Sequence, residues 1–388
     1  MIDAALGQGH VELVGDGDHH GLQARVGQHG GEVVVHRLGL VHGGQPIGQA
    51  YGDVAEGLTG RVAGICQPEA VYNDFAAMLD DPRVEAVVIA VADQFHVPLC
   101  RQALAAGKPV LIEKPLGVTV EECEDLRDLV ARTGLVLQVG NNRRFEPGMT
   151  EARRFIREEI GDLLTLDAWY YDSVYRYTMQ DNLYPVPVEC PNAKRPPGDW
   201  KANRQRYLLI THGAHLLDTA RFLAGPLLAV HARHQAHGEM HGWSIEVEFA
   251  SGALGHLSLI SPRRGDFEEG FRVHGAHGSV FGQAPLPWFQ RAQVECFKDG
   301  AYRRLLGEDG FTFKRQIEGF ADVILRGAPQ HGATLDDGIA AVRGLVAVSQ
   351  SVAWGERVRL ADVTGHVLSA EDDLPVPIVR RGAQRLSA

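Results

Sequence analysis

Residues 84–117 read VEAVVIAVADQFHVPLCRQALAAGKPVLIEKPLG. The opening VEAVVIAV (84–91) is a continuous apolar run, which predicts a strand covered on both faces. VPLCRQALAAG (97–107) predicts a helix closed by Gly107, and PVLI (109–112) a second buried strand. Downstream, Thr119 and Glu122 have capping-box spacing and open a helix through about Arg132, stopped near Gly134; LVLQV (135–139) is a third strand. Strand, helix, strand, helix, strand with short links means parallel pairing with right-handed crossovers. Just past the carboxyl ends of these strands stand three polar clusters, ADQFH (92–96), EKP (113–115) and GNNRRF (140–145). Open parallel sheets bind ligands along that edge. His96, Lys114 and Asn142 are therefore expected to face one shared cleft.

Upstream, PEAVYNDFAAMLDD places Phe75, Met78 and Leu79 on one face of a short helix. Beyond residue 142 the pattern changes. DLLTLDAWYYD (162–172) reads as a strand, and SIEVEFA and ALGHLSLI alternate around Ser251-Gly252 as an antiparallel hairpin. GFRVHGAHGSVFG (270–282) and QVECF (293–297) add short strands, while AHLLDTARFLAG (214–225) and FKRQIEGFADVILRG (313–327) read as helices. Residues 178–206 are rich in Pro and Asn, a long loop of the kind that is functional or a linker.

The bulk numbers exclude several classes. The 388 residues predict two domains. The formal net charge of -11 argues against nucleic acid and anionic membranes as partners. No apolar run approaches the roughly 20 residues of a membrane span, and the first residues lack a basic start and apolar signal core. The five cysteines are scattered and form no CxxC, which fits reduced thiols in a cytoplasm. The 18 histidines form no HxxxH-type motif, so no metal site is expected.

The 84–117 stretch closely resembles the signature of the Gfo/Idh/MocA oxidoreductases, the glucose–fructose oxidoreductase and inositol dehydrogenase group. VGNNRRFEPGMTEARRFI, GDLLTLDAWY, THGAHLLDTARFLAG, VHGAHGSV, FADVILRG and SQSVAWGERVRL are similar to later family segments. The resemblance implies an α/β protein: a Rossmann-type parallel-sheet domain, then an α/β domain with an open, mostly antiparallel sheet. The corresponding boundaries are 1–142, 143–370 for substrate binding and oligomerisation, and a tail at 371–388. It further implies NAD or NADP, hydride transfer at a hydroxyl-bearing carbon of a sugar, polyol or related compound, and a homo-oligomer, dimer or tetramer.

Oxidising an alcohol needs a base for the hydroxyl proton and a nicotinamide placed for the hydride. Lys114 suits orienting or polarising the hydroxyl, and Pro115 fixes the backbone that aims it; by resemblance, a cis peptide is expected there. His215 is the second catalytic candidate, an imidazole able to act as acid or base. The family often carries an acid four residues earlier, where this chain has Thr211. Cofactor contacts are expected from Gly15, Gly17, Ala92, His96, Glu113, Lys114, Pro115, Asn142 and Arg144. His96 equally suits capping the following helix, and Arg143 and Arg144 equally suit pairing with acids between the domains. Tyr170, Tyr171, Arg176, Trp200, Arg204 and Thr211 are substrate candidates, the aromatics among them equally at home in a core.

The first 68 residues depart from the pattern. A dinucleotide fold opens strand, GxGxxG, helix, strand and acid. VELVGDGDHHG (11–21) offers Gly15, Gly17 and Gly21 as GxGxxxG, one residue too long. The following LQARVGQHGGE holds three glycines, and EVVVHRLGLVH (32–42) could be the second strand but ends in no acid. His36 or Arg37 would suit a 2′-phosphate. Six histidines fall within residues 1–42, and the first lysine is Lys108. Two origins remain open: a diverged half-domain, or a reading-frame error with the family frame resuming near residues 62–68. Residues 1–60 are expected to pack poorly. Three readings of function stand side by side: a dehydrogenase, a non-catalytic ligand sensor or inactive copy on the same fold, and a hydrolase or isomerase using bound NAD transiently.

Overall fold

The structure is a computed structural model that describes residues 11–15, 22–26, 38–42, 72, 74–174, 203–284, 292–304, 312–370 and 372. β1 (Val11–Gly15) and β2 (Leu22–Val26) form an antiparallel ribbon of their own, Val11 opposite Val26 and Gly15 opposite Leu22. A strand thus stands where a helix was expected. LQARV alternates apolar and polar residues with period two, and the glycines that follow would each cost a helix about 1 kcal/mol.

β3 (Leu38–His42) leaves the ribbon and pairs in parallel with β4 (Ala86–Ala90). β5 (Val110–Ile112) and β6 (Leu137–Val139) complete a four-stranded sheet of order β3-β4-β5-β6, every pair parallel. α1 (Phe75–Asp80) precedes β4 and buries Phe75, Met78 and Leu79, capped by the Asp74 carboxylate. α2 (His96–Ala105) links β4 to β5. The Thr119–Glu122 capping box starts α3 (Val120–Glu124), and a break at Asp125 leads into α4 (Leu126–Thr133). The two helices occupy the span expected for one. Gly107 and Gly134 take φ +76° and +64°, the left-handed stops that only glycine adopts cheaply.

The second sheet is larger. After α5 (Pro147–Glu158), β7 (Leu163–Ser173) enters its middle. α6 (Arg204–Leu208), a single π turn (Leu209–Gly213) and α7 (Ala214–Ala224) follow as one helical run. β8 (Leu227–His237), β9 (Met240–Phe249) and β10 (Leu254–Arg263) then step inward to one side of β7, and β11 (Glu268–Gly275), β12 (Gly278–Ala284), β13 (Gln293–Lys298) and β14 (Ala301–Arg304) step outward from its other side. The nine-stranded order is β14-β13-β12-β11-β7-β10-β9-β8-β15, with β15 at Val358–Arg359. Only the β7–β10 pair is parallel.

The chain then returns to the first sheet. α8 (Thr312–Arg326) lays Phe320, Ile317 and Ile324 against Ala86, Val88 and Leu111, covering one face of the parallel sheet. The opposite face, with Val87, Ile89, Val110 and Ile112, belongs to a core that runs on through α9 (Leu335–Trp354) into the mixed sheet. α9 opens on a Thr334–Asp337 capping box. Phe320→Ala should cost about 3–5 kcal/mol in urea unfolding, and Thr334→Ala about 1 kcal/mol. A smaller loss for Phe320→Ala than for Thr334→Ala would show that α8 does not seal the sheet.

Candidate active site

The carboxyl edge of the parallel sheet is bolted together by one histidine. Glu113 N donates to Ile89 O at 2.9 Å, which extends the β4–β5 ladder beyond Ile112. The next bond, Lys114–Pro115, is cis. His96 Nδ1 lies 2.6 Å from the Pro115 carbonyl and Nε2 lies 3.2 Å from that of Val91. With both ring nitrogens facing main-chain oxygens and only 1% exposure, His96 ties the β4 exit to the Lys114 loop.

That loop sends Lys114 across to the second sheet, where its ammonium donates to the Thr211 carbonyl at 3.1 Å. Thr211 sits within the π turn, an i→i+5 irregularity that recurs at functional sites. His212 lies in the same turn and His215 one helical turn further on. Tyr170, projecting from β7, stacks on both imidazoles, with centroids 5.2 Å from His212 and 5.9 Å from His215. Asp172, two residues on and on the same sheet face, brings Oδ2 to 3.4 Å from His212 Nε2. Lys114, His212, His215, Tyr170 and Asp172 are each 6% exposed or less. An ammonium and two imidazoles beside a carboxylate can hold and pass a proton at a hydroxyl.

Other expected residues do different work. Arg144 was expected toward cofactor; instead its guanidinium is buried between Asp218 (Nη2–Oδ1 2.6 Å, Nε–Oδ2 3.0 Å) and Asp337 (Nη1–Oδ2 2.8 Å). Arg143 pairs with the equally buried Glu269 at 3.0 Å. These are the between-sheet acid pairs that were the competing reading of both arginines. Asn142, also expected at cofactor, donates to Thr312 Oγ1 at 3.0 Å and accepts from Arg143 Nη1, linking the rim to the start of α8. Tyr171 faces away from the cluster: its hydroxyl donates to Ser258 Oγ at 3.1 Å, under the Arg263 guanidinium. The period of two in a strand turns Tyr170 inward and Tyr171 outward. Arg204 pairs with Glu239 at the β8–β9 turn, 3.4 Å away. Gly15 lies at the end of the antiparallel ribbon rather than on the parallel sheet's edge. Gly17, Arg176 and Trp200 lie outside the described residues.

Ala92 and Glu113 remain on the rim. Ala92 O accepts from Phe95 N at 2.9 Å, and the Glu113 carboxylate accepts from the Lys114 amide at 3.2 Å. Beside them both polar atoms of the Gln94 amide and Nδ2 of Asn141 are buried without a hydrogen-bond partner. Buried polar atoms are rarely left so in a finished site, and these fit the amide and hydroxyl groups of a dinucleotide along this edge. His212 and Asp172 escaped the sequence reading. The signals were there: imidazoles three apart in THGAH, and strand parity in YYD.

A parallel sheet whose carboxyl edge sends a buried ammonium to imidazoles packed on a large mixed sheet defines the Rossmann-type two-sheet class. Within that class, the chain belongs to the Gfo/Idh/MocA family. Residues 62–141 match the model described as oxidoreductase family, NAD-binding Rossmann fold, and residues 149–281 match the GFO/IDH/MocA C-terminal domain. Inositol 2-dehydrogenase 2 of Saccharopolyspora erythraea is 34% identical over 187 residues, 48% of each chain. A scyllo-inositol 2-dehydrogenase (NAD(+)) of Bacillus subtilis is 28% identical over 242 residues, 59% of this chain and 64% of that one. The chain thus spans between about half and just under two thirds of the length of these relatives. A levoglucosan dehydrogenase solved with NADH and L-sorbose shares the fold with a TM-score of 0.66 at 22% identity, over 84% of this chain and 98% of that one.

The Arg144 cluster gives a stability prediction. Burial pushes the Asp337 carboxyl up, but the hydrogen bond and charge of Arg144, the Thr334 amide and Arg221 together pull it down to about 2. A carboxyl held below its unfolded value of about 3.9 stabilises the fold above that pH and loses the contribution as pH falls toward 2. Arg144→Met leaves the Asp218 carboxylate without its cation and Asp337 with Arg221 alone, and should cost about 3–5 kcal/mol. Its acid-unfolding midpoint, followed by circular dichroism, should lie at higher pH than that of wild type. An unchanged midpoint would contradict the assigned cluster.

Proposed function

We propose that this chain is an NAD(P)-dependent dehydrogenase that oxidises a hydroxyl-bearing carbon of a sugar, polyol or related compound. The observation that carries the reading is the 3.1 Å link from the Lys114 ammonium to the Thr211 carbonyl, which sets a buried cation beside the turn holding His212 and His215. Bound NAD(P)+ supplies the hydride acceptor. Lys114 polarises the substrate hydroxyl, and an imidazole of the helical run takes its proton. His215 is the imidazole pointed to by family resemblance. The names of the inositol dehydrogenase relatives support a polyol-like substrate. The same reading divides the chain at 142/143 into cofactor and substrate domains and places the protein in the cytoplasm. It pairs copies through the open face of the mixed sheet, where Leu254, Thr165, His274, Ser279, Phe297 and Tyr302 form one row.

A second reading is a non-catalytic ligand sensor or inactive copy. It is favoured by the family match beginning at residue 62 and by the separate β1–β2 ribbon. Calorimetric titration with NAD+ and NADP+, followed by turnover assays on inositols and aldoses, separates the two. The dehydrogenase reading expects binding and reduction of the nucleotide, with Lys114→Ala lowering kcat by about 10²–10⁴-fold. His215→Ala should fall in the same range if it is the base. Binding without turnover on any hydroxylated substrate supports the sensor, and absence of binding removes both the cofactor and the dehydrogenase.

A further inference from the structure

The residue four positions before His215 is Thr211, whose hydroxyl is buried and has no hydrogen-bond partner. A hydroxyl carries no charge at neutral pH and cannot balance an imidazolium. A carboxylate does reach the π turn from another element: Asp172 on β7, 3.4 Å from His212 Nε2. His212 is 4% exposed and Asp172 3%. Two such groups out of water are stable together only when one compensates the other. Resting on the dehydrogenase reading, we infer that His212 is the proton acceptor of the site and that Asp172 is its positioning residue.

The pairing assigns the roles. An Nε2–H placed toward the Asp172 carboxylate, 3.4 Å away, leaves the imidazole lone pair on Nδ1. On oxidation the substrate C–H bond breaks and its electron pair leaves as hydride to NAD(P)+. The O–H electron pair becomes the second bond of the carbonyl, and the hydroxyl proton passes to His212 Nδ1. The imidazolium formed is balanced by Asp172. Tyr170, stacked on both imidazoles, keeps the two rings against β7. His215 then orients the substrate.

Among the described residues, the other groups around the turn do not duplicate this role. Lys114 reaches it through the Thr211 carbonyl. From α6, Arg206 is ion-paired to Asp372 and Arg204 to Glu239. On β11, opposite Tyr170, Glu269 is held by Arg143. α9 and β10 present Leu345 and Leu259, which lie against Gly213.

The test uses the full chain and two readouts. In a ¹H–¹³C titration of the histidine ring signals, assigned through His212→Gln, Asp172→Asn should lower the His212 midpoint by about one pH unit or more, because the paired charge favours the protonated ring. The acid limb of the kcat/KM profile for polyol oxidation should move down by the same amount, and Asp172→Glu should restore it. His212→Gln should lower kcat by about 10²–10⁴-fold, with His215→Gln raising KM more than it lowers kcat. A His212 midpoint that ignores Asp172→Asn overturns the pair, and this readout needs no turnover. If that midpoint moves while the acid limb stays and instead disappears in His215→Gln, His215 is the base and the inference fails. A wild type that reduces no NAD(P)+ removes the dehydrogenase reading itself, and with it the proton transfer assigned to His212.

Discussion

A buried guanidinium sets the geometry on which the site depends. Arg144 leaves the rim of the parallel sheet just after β6 and is gripped by Asp218 on α7 and Asp337 on α9. Asp218 lies one helical turn beyond His215, so the ion pair determines how far the imidazoles stand from the edge that carries Lys114. Charge pairs this deep contribute little net stability, but losing one member is costly. Such a contact specifies one arrangement of two sheets over its neighbours. The Arg143–Glu269 pair does the same toward β11, and Asn142 toward α8. The polar cluster at 140–145 is therefore the joint of the molecule.

Much of the parallel sheet was legible because its signals are local. Continuous apolar runs, the Thr119–Glu122 box and the glycine stops at 107 and 134 each depend on a few neighbouring residues, and each reappears in place. α9 was not legible. LDDGIAAVRGLVAVSQSVAW is apolar almost all round because it is packed between two sheets, and a helix buried on most sides loses the amphipathic period that reveals it. The return of α8 to the first sheet was equally hidden, since its apolar stripe says that it packs but not on what.

In the site, residue types were readable and directions were not. Lys114 and His215 stand out by motif. Tyr170 and Tyr171 are indistinguishable by composition, and only the strand's phase decides which ring meets the imidazoles. Arg144 looked like an anion-binding residue because nothing in GNNRRF tells of acids 74 and 193 positions away. At the amino end, the glycines between β1 and β2 look like a nucleotide loop by spacing. Yet a dinucleotide turn must feed a helix, and LQARV is patterned as a strand, so β1 pairs with β2 instead of entering the parallel sheet. The family match begins only at residue 62, beyond that segment.

The central claim is that the Lys114 rim and the helical run of the second sheet work together on a substrate hydroxyl. Isotope transfer tests it most directly. The protein is incubated with NAD(P)+ and a polyol carrying deuterium on its oxidisable carbons, and the nicotinamide is analysed by mass spectrometry. The account predicts label in the reduced nicotinamide with the wild type and its near-complete loss in Lys114→Ala. Bound nucleotide that gains no label from any hydroxylated substrate, or labelling that survives Lys114→Ala undiminished, would contradict it.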